Sequence, residues 1–239
     1  FTFVCIVFLF LPLIYRGVSP VWAAVLVAIL TTVVTMYLLG GISSKSVTAV
    51  VGTVLGVGIS GILAILFGKW THISGYNVAD IEQLTYVGQT TNIKIGELLY
   101  AGILISALGA VMDVAMSIAS TINEIHFRNP LLSARELFFS GIRVGKDMMG
   151  TMSNTLILAF TGTSINTLVF LYVYNYSTTQ IINMYSIGIE LIQGIASTMG
   201  VILTIPLVSL LSAWHLNGRI KIFSKIFQRT GRRLNQSGA

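Results

Sequence analysis

Carboxylic acids stand within or at the edge of long apolar stretches of this chain, among them Asp113, Asp147 and Glu190. An acid at the centre of a membrane helix costs about 2.5–3.5 kcal/mol on insertion scales, so it is expected to face the bundle interior, to be paired or to be protonated. The chemistry open to it is binding a cation or carrying a proton. Asp113 is the deepest, roughly 15 Å from the C-terminal end of its apolar stretch at ~1.5 Å rise per residue. At about 100° per residue, Ser106, Gly109, Ala110, Asp113, Ser117, Ser120 and Glu124 project within about 60° of one direction, as one small and polar stripe. A second stripe carries Asp147, Thr151, Asn154 and Thr161, with Gly150 and Gly162 near it. A third carries Glu190, Gly194, Ser197 and Thr204, with Gln193 one position round and Pro206 below.

Two readings of these stripes compete. In the first they line a polar path or binding cavity, with Asp113 as ion or proton ligand, Ser117, Thr151 and Asn154 as neutral ligands, and Glu190 guarding the outer side. In the second, Ser, Thr, Gly and Asn hold membrane helices together by close packing and hydrogen bonding. Packing does not require a charge at the depth of Asp113, which favours the first reading there. Glu124 beside Arg128 and Asp147 beside Lys146 are equally well explained as interfacial ion pairs.

The elements that position these residues follow from composition. Of 239 residues, 54% are hydrophobic and 9% charged, far below the roughly 25% charge of soluble chains. The expected fold is all-α, a polytopic membrane bundle of about six helices, because backbone groups in lipid must be satisfied within the segment. Spans are expected near Phe1 to Tyr15, Pro20 to Leu39, Val47 to Gly68, Gly96 to Ile122, Gly150 to Tyr174 and Ile181 to Ala213. Residues 1–213 form one membrane-embedded domain and 214–239 a basic cytoplasmic tail. Ser133 with Glu136 reads as a capping box. The apolar and basic alternation after it suggests a short amphipathic helix on the inner surface between the fourth and fifth spans. The polar stretch Lys69 to Lys94, with Asn77, Asp80 and Glu82, reads as an outer loop. The chain opens on Phe1 with a short apolar run, so a longer N-terminus is expected.

Lys and Arg set the orientation. With the tail inside, eleven lie inward (Lys45, Arg128, Arg135, Arg143, Lys146, Arg219, Lys221, Lys225, Arg229, Arg232 and Arg233) and three outward (Arg16, Lys69 and Lys94). That split favours N-in/C-in. The tail could also attract anionic lipid. The net charge of +6 is therefore topological, and no nucleic-acid partner is expected.

Gly52 and Gly56 form a GxxxG pair, which predicts close helix packing. Gly58-Ile59-Ser60-Gly61 matches the GxSG of rhomboid intramembrane proteases, but a serine nucleophile needs a histidine base, and His72 is expected in a loop, His126 on the cytoplasmic side and His215 at the opposite membrane face. Cys5 stands alone in an apolar run. No motif for metal, nucleotide or redox chemistry occurs, so no catalytic residue, metal or cofactor is expected.

The stretch Ala107-Leu108-Gly109-Ala110-Val111-Met112-Asp113-Val114-Ala115-Met116-Ser117-Ile118-Ala119-Ser120 and the later Gly145-Lys146-Asp147-Met148-Met149-Gly150-Thr151-Met152-Ser153-Asn154-Thr155-Leu156 resemble the YibE/F-like family of bacterial multi-pass membrane proteins. The resemblance covers 96–213. It implies a bacterial plasma-membrane protein of the shorter YibF type, with a paralogous YibE-type membrane protein as partner, and it transfers no catalytic residue. Both signature blocks fall on the polar stripes.

Overall fold

The computed structural model describes residues 1–41, 43–74, 76, 82, 85–86, 88 and 91–236, and the side chains up to 217. Asn77 and Asp80 of the expected outer loop, and the basic side chains from Arg219 onward, lie outside the described residues.

Every described regular element is a helix. α1 is Thr2–Tyr15, with a π-helical stretch at Ile6–Phe10, and at 14 residues spans only about 21 Å. α2 is Pro20–Gly40, begun by a proline at its first position and ended at Gly41, whose φ of 64° suits a residue without a side chain. α3 is Ser44–Thr71, stopped by His72 in the left-handed region. α4 is Ile95–Arg128, ended before Pro130. Four helices are long and apolar enough to cross a membrane: α2, α3, α4 and, over Tyr185–Asn217, the final one. They make the chain a multi-pass membrane protein.

A further apolar segment is a bent pair, which adds a fifth span if its two helices are taken together. α5 (Ala134–Thr163) and α6 (Ile165–Val173) meet at 58° across Ser164. The expected capping box is formed: Ser133 Oγ accepts from the Glu136 N–H, and the Glu136 carboxylate accepts from the Ser133 N–H at 2.8 Å. No break separates the amphipathic segment after it from the following apolar run, because nothing from Arg135 to Phe160 stops a helix. The two expected elements are thus one. Near Ile181 the reverse holds: α7 (Thr178–Ile182) is a separate short helix, and α8 begins at Tyr185 and continues through Pro206 to Gln236.

The core is built on α3, α4 and α8, with α2 against α4 and α5 against α8. Val57, Leu104, Leu108, Val111, Ile118, Val201 and Val208 are among its buried residues. Glycine makes the contacts close. A Cβ at Gly52 would collide with Val208, one at Gly56 with Thr204, and one at Gly200 with Ser60, so the GxxxG pair does pack α3 against α8. Hydrogen bonds link helices at their ends: Ser19 donates to Glu97, and Tyr100 donates to the Ile73 carbonyl at 3.1 Å.

Candidate intramembrane polar site

The register between helices gives the levels of the polar stripes. Gln193 of α8 donates to Ser106 of α4 at 3.2 Å, 87 residues apart. Deeper in the bundle, Ile122 and Ser209, again 87 apart, both flank Gly141. α4 and α8 therefore run in parallel, with Asp113 level with Gly200. α5 runs the other way: Gly141 lies on Ser209 and Gly145 on Ile205, which brings Gly150 level with Gly200. Asp113 and the signature block of α5 thus stand at one height in the bundle.

Asp113 and most of the polar residues of that block stand on the outside of the bundle. Asp113, Asp147, Thr151 and Asn154 are exposed and Ser117 is half-buried. Among the described residues no hydrogen bond or ion pair engages the carboxylates of Asp113, Asp147 or Glu190. The interior position expected for Asp113 is not found, because the buried face of α4 is taken by Leu104, Leu108, Val111, Ala115 and Ile118. The glycines repeat the division. Those at 52, 56, 61, 141, 145 and 200 are filled by neighbouring side chains, whereas around Gly102, Gly109, Gly150 and Gly162 nothing lies within 4 Å. The open glycines of α4 and α5 belong to the same stripes as Asp113 and Asn154, while Gly58 of α3 is open as well.

Glu190 is placed apart from Asp113. It is half-buried and lines a cleft of about 550 Å³ between α8 and the α5–α6 elbow, together with Phe160, Thr161, Leu168 and Thr198. The three stripes consequently do not converge on one enclosed cavity. Sequence spacing placed each stripe on a helix face but did not reveal this cleft, which depends on the bend at Ser164.

Glu124, Arg128 and Ser60 have structural roles. Glu124 and Arg128 form the expected ion pair at 2.7 Å, both side chains being exposed. Ser60 is buried and donates to the Ala196 carbonyl at 3.0 Å, so its hydroxyl ties α3 to α8. The hydroxyls of Ser153, Ser197, Thr198 and Ser209 are buried without a hydrogen-bond partner. Among the described residues no three His, Cys, Asp or Glu side chains come close enough to hold a metal ion.

A family model described as YibE/F-like protein matches residues 1–218 of the chain. The match reaches beyond the stretch 96–213 that carries the signature blocks and takes in α1, α2 and α3. No curated protein and no solved structure matches.

Proposed function

The chain belongs to the YibE/F-like family, and we propose that it is a membrane subunit of a transport assembly whose polar path forms where the open faces of α4 and α5 meet a partner. The observation that carries this reading is Asp113. It is exposed at mid-height on a helix whose opposite side is buried, one turn from Gly109, around which nothing lies within 4 Å. Lipid is a poor cover for a carboxylate at that depth. A second polar membrane surface satisfies it, and water between the two surfaces supplies a route for an ion or proton.

In this account Asp113 is the ion- or proton-binding group, and Ser117, Thr151 and Asn154 offer neutral ligands around it. Asp147 lies one turn of α5 from Thr151 and belongs to the inner mouth of the path. Glu190 has no part in the path. The partner is a paralogous YibE-type protein, and the assembly sits in a bacterial plasma membrane. Six crossings with both termini inside keep eleven of fourteen Lys and Arg on the inner side. The basic tail then lies beside the anionic lipid of that face.

The test is ion or proton flux in proteoliposomes holding the chain with its copurified partner. Asp113→Asn is expected to lower flux tenfold or more, taking about tenfold as the least effect of losing the charge, while leaving the melting temperature unchanged. Flux equal to the parent would remove Asp113 from the mechanism. A second reading, a scaffold that associates without transporting, draws on the open glycines at 102 and 109, which suit close approach of another helix. Stable copurification with no flux for any ion would favour it.

A further inference from the structure

The cleft beside Glu190 is separate from the Asp113 face, and its lining has a definite chemical character. Its walls are apolar, built by Phe160, Leu168 and Ile195 among others, and Glu190, Thr161, Ser164 and Thr198 are the polar side chains among the residues that line it. Glu190 has no cationic partner among the described residues, the single ion pair there being Glu124 with Arg128. Thr198 places a buried hydroxyl in the same wall with no hydrogen-bond partner. The volume, about 550 Å³, falls within the range of small-molecule sites. Ile157 and Ile195, which line it, are 53% and 50% exposed, so the cleft opens on the apolar outer surface of the helices.

We propose that this cleft binds a hydrophobic monovalent cation that reaches it from within the bilayer. An apolar ligand without charge would leave Glu190 uncompensated in a low-dielectric wall, and an anion would be repelled by it. A small hydrated metal ion would leave the apolar walls unused and would find one carboxylate where several oxygen ligands are needed. A cation carrying its charge among aromatic or alkyl groups satisfies both features. It pairs with Glu190, and its apolar body covers Phe160, Leu168 and Ile195.

The experiment measures equilibrium binding of tetraphenylphosphonium to the full chain in phosphatidylcholine nanodiscs, with neutral triphenylphosphine oxide as the comparison probe. Saturable binding of the cation is expected, with Glu190→Gln weakening it about tenfold or more and leaving the neutral probe unaffected. Thr161→Phe, which adds bulk from an exposed lining position, is expected to block binding with no change in melting temperature. Equal affinity in the parent and Glu190→Gln would overturn the assignment, as would the absence of saturable binding to the parent. Loss on Thr161→Phe with full binding in Glu190→Gln would overturn the cation as occupant. None of these outcomes depends on Asp113, so the failure of either proposal leaves the other standing.

Discussion

Gly109 and Asp113 stand one turn apart on a face of α4 that is open in the described structure, while Leu108, just before them, and Val111, between them, are buried in the core. One side of the helix is finished and the other is not. The same division, carried to the glycines of α4 and α5, separates positions that set stability of the single chain from positions available to an assembly.

Substitutions at the filled glycines should therefore damage the fold. Gly56→Leu drives a side chain into Thr204 and Val111, and Gly52→Leu into Val208. Each is expected to cost about 1–3 kcal/mol or more through overpacking, read as a lower melting temperature in detergent. Gly109→Ala and Gly150→Ala, which meet nothing within 4 Å, should leave the melting temperature of the isolated chain unchanged.

Ser60 should behave as a packing residue. Ser60→Ala removes the hydrogen bond to the Ala196 carbonyl and is expected to cost about 1 kcal/mol. A fluorophosphonate probe should leave the parent unlabelled, because the hydroxyl is buried and no histidine is paired with it as base. Labelling that disappears in Ser60→Ala would reverse this assignment.

The start of α5 depends on its cap. Ser133→Ala loses both the hydroxyl that accepts from Glu136 and the reciprocal geometry of the box. Destabilisation of about 1 kcal/mol is expected, with a smaller loss for Ser133→Asp, since aspartate also caps. Helix content lost specifically after residue 133, followed by amide exchange, would locate the effect.

Orientation has its own check. A reporter fused after Ala239 should be active when it functions only in the cytoplasm and silent when it needs export, and a fusion within the 69–94 segment should show the opposite. Moving the eleven-to-three charge split outward would require the reverse pattern.

Much of this architecture is legible in the residues themselves. Pro20, Gly41, Ser133 and Pro130 act through local backbone chemistry, and the helices begin or end beside each of them. Gly52 and Gly56 announce close packing, and the structure supplies the partners, Val208 and Thr204. What spacing could not reveal is which side of a helix is covered. The stripe through Ser106, Asp113 and Ser117 has one direction on a helical wheel, but whether that direction meets the core depends on how Leu104, Val111 and Ile118 seat against α3 and α8. The merger of the amphipathic segment into α5 is not legible in spacing for a related reason, since a change of hydropathy along a helix is not a break in it. The Glu190 cleft was hidden because its far wall comes from α5 and α6, whose angle at Ser164 is a tertiary feature.

The central claim is that the Asp113 face of α4 borders water in the assembled protein although it lies at membrane depth. Single cysteines placed at Gly109 and Asp113, in a chain carrying Cys5→Ala, can be exposed to a charged methanethiosulfonate reagent in native membranes. Leu203→Cys, on the exposed apolar side of α8 at a similar height, serves as the lipid-facing control. The account predicts modification at 109 and 113 and none at 203. Cysteines at 109 and 113 as unreactive as the one at 203, while a control cysteine at Thr71 is modified, would contradict it.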